Sequence, residues 1–209
     1  MSEADIEFLR GIGERRRYPQ NSVILRVGCH THEMYFVERG LISQILLGAN
    51  GIEKTLCILG QGCFLADEPF FHSQPILYNA VAVADTEVLA IRKESTQDLL
   101  RRPSLVHALL VSISLKSRVL ATEVEDLAVR SAESRVCRML YCLLASDGYG
   151  RQRERLALTH QELASLEGLH RVTVTKTIAT LRKKTLIDVR PDGSIVIRDE
   201  RAVYDLAFC

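Results

Sequence analysis

From Ser104 to Asp147 the chain contains neither glycine nor proline, and Pro103 stands immediately before that stretch. So long an uninterrupted run commits this part of the chain to helix, because nothing in it forces a turn. Within it Val106, Leu110, Ile113, Ser117, Leu120, Val124 and Leu127 follow one another at intervals of 4, 3, 4, 3, 4, 3. That is a heptad seam interrupted only by Ser117, and a second copy of the same helix is its natural partner. Leu105, Leu109, Val111, Leu115 and Val119 are apolar on other faces, so the helix also has surface to bury elsewhere. A dimer seam and packing on the chain's own strands are therefore both open, and one helix can serve both.

The residues before Pro103 have a different texture. From about Tyr18 to Arg92 short runs rich in Val, Ile, Leu, Tyr and Phe alternate with turn residues: SVILRVG, MYFVERG, LISQILLGANG, KTLCILGQG, CFLAD, NAVAVAD and TEVLAIR. Their length and spacing predict seven or eight strands in a compact antiparallel barrel or roll. Gly28, Gly40, Gly51, Gly60 and Gly62 mostly sit where turns need a left-handed residue, and Asn21 does the same. The fold class expected is α+β: a jelly-roll-like β-roll over 1–103, a dimerisation helix and hinge over 104–130, and a third part over 131–209.

That third part begins with a helix from about Ala132 to Ser146 and a polar turn, DGYGRQRER. LTHQELASLEGLHRVTVTKTIATLRKKTLIDVRPDGSIVIRD then reads as helix, turn, helix, hairpin. Thr159 and Glu162 form a capping box at the first helix, and Gly168 ends it. Ala164, Gly168 and Val174 supply the small residue, the turn and the buried branched residue that two crossing helices need. Leu163, Leu169, Val174, Ile178 and Leu181 are the expected shared core. LIDVR and SIVIR flank Pro191-Asp192-Gly193 as a hairpin, which makes the motif a winged helix-turn-helix.

Composition narrows the function. With 47% hydrophobic and 25% charged residues the 209-residue chain is ordinary globular material. The apolar runs at 105–111 and 139–145 fall short of the roughly 20 residues a bilayer span requires, and the first residues lack an apolar signal core. A cytoplasmic protein without membrane attachment is expected. Six cysteines at irregular spacing predict no disulfide framework; Cys137 and Cys142, five apart on a helix, diverge. The formal net charge is only +1, yet residues 168–190 carry six basic side chains against one acidic, an excess suited to phosphates. No glycine-rich phosphate loop, GxSxG, HExxH or metal-spaced Cys/His group is present, so the residues offer nothing to carry catalysis.

A strand-rich roll, one long seam helix and a winged helix-turn-helix, in that order, resemble the Crp/Fnr family of bacterial transcription regulators. The resemblance covers nearly the whole chain, and its most specific parts are LTHQELASLEGLHRVTVTKTIATLRKKTLI and MYFVERGLISQILLGANGIEKTLCILGQGCF. It implies a homodimeric, effector-controlled regulator hinged near Val129 to Ala132, acting on double-stranded DNA and with RNA polymerase. On this reading His170 lies near the N-cap of the recognition helix and Arg171, Val172, Thr175 and Lys176 face the major groove. Arg171 is the expected base reader, its fork suiting guanine O6 and N7. Val172 departs from the glutamate common there in the family and offers only apolar contact to a thymine methyl. Thr173 is equally a surface residue or a DNA contact. Thr159 is chiefly a cap that also lies within reach of phosphate. A symmetric dimer calls for a palindromic site with half-site centres about 34 Å apart.

At the sensor end the family's cyclic-nucleotide pocket has a Gly-Glu pair and an Arg-Ser pair; here Ala66-Asp67 and Tyr78-Asn79 stand in their places. Without the arginine a buried cyclic phosphate lacks its counter-charge, so gating by cyclic AMP is not expected. Phe70, Phe71, Leu77, Tyr78, Leu115, Arg118 and Val119 are the candidate effector-binding residues, with simple filling of the roll as the competing reading. The HRVTVTK helix also resembles the branch of the family that responds to halogenated aromatic acids. An iron–sulfur sensor needs an N-terminal cysteine cluster, and the first cysteine is Cys29. The alternative function is a haem-gated or thiol-gated regulator, with His30, His32, His72 and His107 as axial candidates and Cys29 or Cys209 as thiols. No cofactor or metal is expected; the effector is a small molecule, moving the seam between Ser117 and Leu127.

Overall fold

The structure, a computed structural model, describes residues 1–48, 51–144 and 158–208. The fold is α+β, in two compact units: Met1–Leu47 with Thr55–Ala121, and Gly48–Lys54 with Thr122–Cys209. The polar turn expected at 147–155 and the thiol of Cys209 lie outside the described residues.

The first unit opens with α1 (Glu3–Ile12), whose Ser2 cap exchanges hydrogen bonds with Asp5. Eight strands follow among the described residues: β1 (Gly13–Tyr18), β2 (Val23–Leu25), β3 (Glu33–Arg39), β4 (Ile42–Leu47), β5 (Glu53–Leu59), β6 (Phe64–Leu65), β7 (Asn79–Ala82) and β8 (Thr86–Arg92). They form two four-stranded sheets, ordered β1-β8-β3-β6 and β2-β7-β4-β5. The characterised pairings are antiparallel. β1, GERRRY, is too polar to read as a strand from its sequence. It pairs with β8 from Gly13↔Ile91 to Tyr18↔Thr86, and its arginines are tied to Glu38, Glu33 and Glu87. As an edge strand it carries the charge that discourages further strand pairing.

The continuous apolar run in β3 has a simple cause: the strand is buried on both faces. Tyr35 and Val37, with Val88 and Ala90 of β8 and Ile42 of β4, belong to one core. Met34 and Phe36, with Leu89 and Ile91, belong to a second core that α1, α2 (Asp67–His72), α3 (Thr96–Leu100) and α4 (Pro103–Val129) complete through Leu9, Phe70, Leu99, Leu105 and Leu109. Alternation along the strand sends successive side chains to the two cores. The β3–β4 turn demands glycine at Gly40, where φ is +95° and an added Cβ would lie 2.4 Å from the Thr86 hydroxyl.

α4 runs for 27 residues. Leu105 and Leu109 are buried, Val106 is half-buried, and Leu110, Ile113, Leu120, Val124 and Leu127 are exposed. The stripe is thus not used up in packing on the roll. By length and composition alone α4 meets the requirement for a bilayer span, with an 18-residue window of mean hydropathy 1.4 that is 11% buried. Ser112, Ser114 and Ser117 interrupt the apolar run that begins at Leu105 without lowering hydropathy much, which is why the helix passes on composition although its uninterrupted runs are short.

In the second unit α5 (Ala132–Leu144), α6 (His160–Glu167), α7 (Arg171–Lys183), the hairpin β9 (Ile187–Val189) and β10 (Ile195–Ile197), and α8 (Glu200–Phe208) share one core. Leu163, Val174, Ile178 and Leu181 are buried in it and Leu169 packs at its margin. Asp126, near the end of α4, is buried and faces Arg130 and Arg138. These ion pairs fix the approach to the short link between α4 and α5.

Candidate functional site

The helix-turn-helix is closed by local chemistry. The Thr159 hydroxyl accepts from the Glu162 N–H at 3.2 Å, and the Glu162 carboxylate accepts from the Thr159 N–H at 2.7 Å. Gly168 takes φ +61° and its N–H returns to the Ala164 carbonyl, turning the chain sharply into α7. His170 is the N-cap of α7, with no side-chain cap bond. The positive end of the helix dipole at this terminus favours an anion.

α7 has two sharply different faces. Val174, Thr177, Ile178 and Leu181 are buried, whereas Arg171, Val172, Thr175 and Lys176 are exposed and Thr173 is half-buried. Residues four apart stack on a helix, so Arg171 lies beside Thr175 and Val172 beside Lys176. The Thr175 hydroxyl donates to the Arg171 carbonyl at 2.9 Å and lies 2.9 Å from His160 Nδ1, so it braces α6 against α7. Arg182 and Lys183 are exposed, while Lys184 is held by Glu133 at 2.6 Å. In the wing, the Ser194 N–H and hydroxyl donate to Asp192 at 2.9 and 2.6 Å, and Gly193 adopts φ +80°.

One neighbour of this face had no counterpart in the sequence reading. Gly51, Ile52 and Glu53 border, with Gln161, His170, Arg171 and Val172, a cleft of about 240 Å³. Lys54 anchors that segment, donating to the Leu166 carbonyl and pairing with Glu123 at 2.7 Å. Glu167, adjacent to this anchor, has its carboxyl pushed up by burial, opposed by Lys54 and Arg135.

The first unit holds a cavity of about 410 Å³ between β4, β5, the α2 region and α4. Leu77, Tyr78 and Val119, three of the expected effector residues, line it. The other four are elsewhere. Phe70 is wholly buried in the second core of the roll, because α2 turns it inward; Phe71 stacks edge-on against it and is exposed. Leu115 lines a separate cavity of about 480 Å³ on another side of α4, and Arg118 is not among the residues lining either cavity.

The polar groups of the described cavity lining are Gln44, Cys57, Asp67, Glu68, Lys116, Ser117 and the Tyr78 phenol. Lys116 bonds to the Phe64 carbonyl at 2.6 Å and to Asp67 Oδ1 at 2.5 Å. Asp67 is 2% exposed and its second oxygen is buried without a hydrogen-bond partner among the described residues. The Cys57 thiol donates to Gln44 at 2.7 Å, and burial pushes its pKa up to about 11, a thiol poorly suited to redox signalling. Burial likewise keeps the Tyr78 phenol protonated. Lys116 escaped notice in the sequence, where Arg118, two residues further on, was the cation singled out. Ala66 adopts φ +61° and opens α2, one residue before Asp67 of the cavity wall.

Of the histidines considered as haem ligands, His30 and His32 share a surface cleft with Glu33 and Arg92, His72 pairs with Glu68, and His107 borders the second cavity. Among the described residues no three His, Cys, Asp or Glu side chains gather as a metal site.

Comparison with known proteins matches both units. A family model described as a cyclic nucleotide-binding domain covers residues 15–103, and one described as a Crp-like helix-turn-helix domain covers 134–206. The cyclic AMP receptor protein of Thermus thermophilus is 28% identical over all of this chain and 94% of its own. A global nitrogen regulator of Synechocystis is 30% identical over 82% of this chain and 79% of its own. Among solved structures, the c-di-GMP-responsive regulator CLP of Xanthomonas campestris aligns with TM-score 0.83 at 24% identity, over 94% of this chain and 99% of that one.

Proposed function

The chain belongs to the Crp/Fnr family of transcription regulators, and from this we propose that it is a cytoplasmic homodimer that binds a palindromic promoter site under control of a small molecule other than cyclic AMP. It is not an enzyme. The observation that carries the reading is the two-faced α7, with Arg171, Val172 and Lys176 exposed opposite the buried Val174, Ile178 and Leu181. Arg171 reads guanine, Val172 meets a thymine methyl and Lys176 a phosphate or guanine. Thr173 lies at the margin of that contact, and His170 and Thr159 set the helix ends. Residues 1–103 are the sensor, 104–130 the dimer helix and hinge, and 131–209 the DNA-binding domain. RNA polymerase is the further partner. Val106, Leu110, Ile113, Ser117, Leu120, Val124 and Leu127 form the seam.

The effector occupies the 410 Å³ cavity, with Leu77, Tyr78 and Val119 retained from the expected set. Among the described residues no arginine lines the cavity to meet a cyclic phosphate, and the cation that does line it, Lys116, is already held by Asp67. The test is selection of duplexes from a randomised palindromic pool, followed by binding of the selected duplex. Arg171→Ala should relax discrimination at one base pair per half-site by about 1–3 kcal/mol. Failure of the wild-type protein to enrich any duplex, or equal preference in wild type and variant, overturns the assignment.

A further inference from the structure

The unpaired oxygen of Asp67 says what kind of molecule the cavity takes. Asp67 sits in the wall with its side chain 3% exposed. Its Oδ1 accepts from Lys116, while Oδ2 is enclosed with no donor among the described residues. A buried carboxylate oxygen left unbonded is costly, and low-dielectric apolar neighbours raise that cost. The surroundings here are Leu46, Leu56, Leu77, Ile113 and Leu120. Lys116 cannot serve a second acceptor freely, because the Phe64 carbonyl and Asp67 Oδ1 hold it. With Glu68 also in the lining, two carboxylates face one ammonium, so the polar end of the cavity repels an added anion.

We propose that the effector of this chain is a small, mainly apolar molecule bearing a hydroxyl or amino head that donates a hydrogen bond to Asp67 Oδ2, and that anionic ligands are excluded. This rests on the effector reading above and specifies the chemistry of that same cavity. The carboxylate's terminal torsion is broad and roughly two-fold, so a modest rotation brings Oδ2 to an incoming donor while the other oxygen keeps Lys116. The donor completes the Asp67–Lys116 pair, and the apolar frame fills the space beside Leu77 and Tyr78. A phosphate or carboxylate head would instead have to break the ion pair to reach Lys116, leaving Asp67 a buried charge without a partner.

The test uses one frame with four heads: 4-phenylbutylamine, 4-phenylbutan-1-ol, 4-phenylbutyrate and butylbenzene, each at millimolar concentration with the full-length protein, alongside cyclic AMP. Thermal unfolding reads binding to the folded state. The amine or the alcohol should raise the melting temperature, and the butyrate, butylbenzene and cyclic AMP should not. The amine against the alcohol separates a cationic from a neutral effector. Asp67→Asn should weaken the stabilising compound at least about tenfold. Lys116→Met, which leaves Asp67 without its cation, should shift preference from alcohol towards amine. A larger shift with butyrate or cyclic AMP than with either donor, or no shift with both donors on the wild-type protein, overturns the proposal. Duplex binding is measured on the same preparations. Sequence-selective duplex binding with the wrong head-group order sinks only the effector chemistry, whereas absence of duplex binding sinks the regulator reading itself.

Discussion

Leu110 offers the sharpest test of the seam. It is 58% exposed on α4 and stands at an a position of the heptad pattern, whereas Leu115, 59% exposed on the same helix, lies five residues later, away from the stripe. Burying a whole leucine is worth about 1.5–3 kcal/mol, so burying the exposed half in a partner contributes about 1 kcal/mol per protomer. A two-fold interface uses the residue twice, and Leu110→Ala should therefore cost about 2 kcal/mol of dimerisation, roughly a 30-fold rise in dissociation constant. Leu115→Ala removes as much exposed apolar surface and should leave dimerisation within about twofold of wild type. Sedimentation equilibrium over a dilution series, without DNA, reads both. Because neither side chain is buried within the chain, unfolding does not confuse the comparison. Equal dimerisation of wild type and Leu110→Ala, with weakening in Leu115→Ala, would refute the heptad assignment and put the interface on another face.

Three further outcomes follow from single residues. Ala66 holds a left-handed conformation that costs an alanine roughly 1 kcal/mol, so Ala66→Gly should raise the urea midpoint rather than lower it, despite removing a buried methyl group; a lowered midpoint would show that packing dominates. Asp5 is held at about 2, first by the Ser104 hydroxyl and then by the Ser2 N–H and hydroxyl, which stabilises the folded state fully above the ordinary carboxylate range near 4 and loses its effect as pH falls through about 2. The stability difference between wild type and Ser104→Ala should thus be present at neutral pH and shrink in acid, as read by urea titration at several pH values; a pH-independent difference would remove the carboxylate from the explanation. Lys176→Ala should reduce the salt dependence of duplex binding by about one phosphate contact, whereas Lys184→Ala, whose ammonium is neutralised by Glu133, should leave the slope unchanged in a salt titration.

Periodicity reported the elements that have a distinct inside and outside. The α7 face, the capping box at Thr159 and the Gly168 turn were legible because each rests on residues within a few positions of one another. β1 was not, because its arginines are satisfied by glutamates on β3 and β8 and no apolar alternation marks it. α8 also escaped, since only Val203 and Ala207 are fully buried and Ala202, Leu206 and Phe208 merely pack at the core's margin. The cavity was half legible. Leu77 and Tyr78 follow from the motif position, but Phe70, equally aromatic and equally near, is turned into the other core by a six-residue helix that its sequence, with a central proline, does not announce. The pair of Asp67 and Lys116 joins residues 49 positions apart, beyond the reach of any local pattern.

The placement of Lys116 bears on how a small molecule reaches the DNA end. Ile113, Ser117 and Leu120 are seam residues by their spacing, and all three also line the cavity beside Lys116. With the proposed seam and effector site, one helix presents the same side chains to an effector and to a partner helix, and no relay between distant sites is needed. A molecule that repositions Ser117, the one polar residue in the stripe, changes the packing of the layers on either side of it, because a heptad seam admits discrete registers rather than continuous sliding. Linkage then sets the terms: an effector that, bound in both protomers, tightens dimerisation tenfold must bind each site of the dimer about threefold more tightly, a total coupling of about 1.4 kcal/mol per dimer. That is close to the contribution of one half-exposed seam leucine, so the repacking of a single heptad layer suffices to carry the signal.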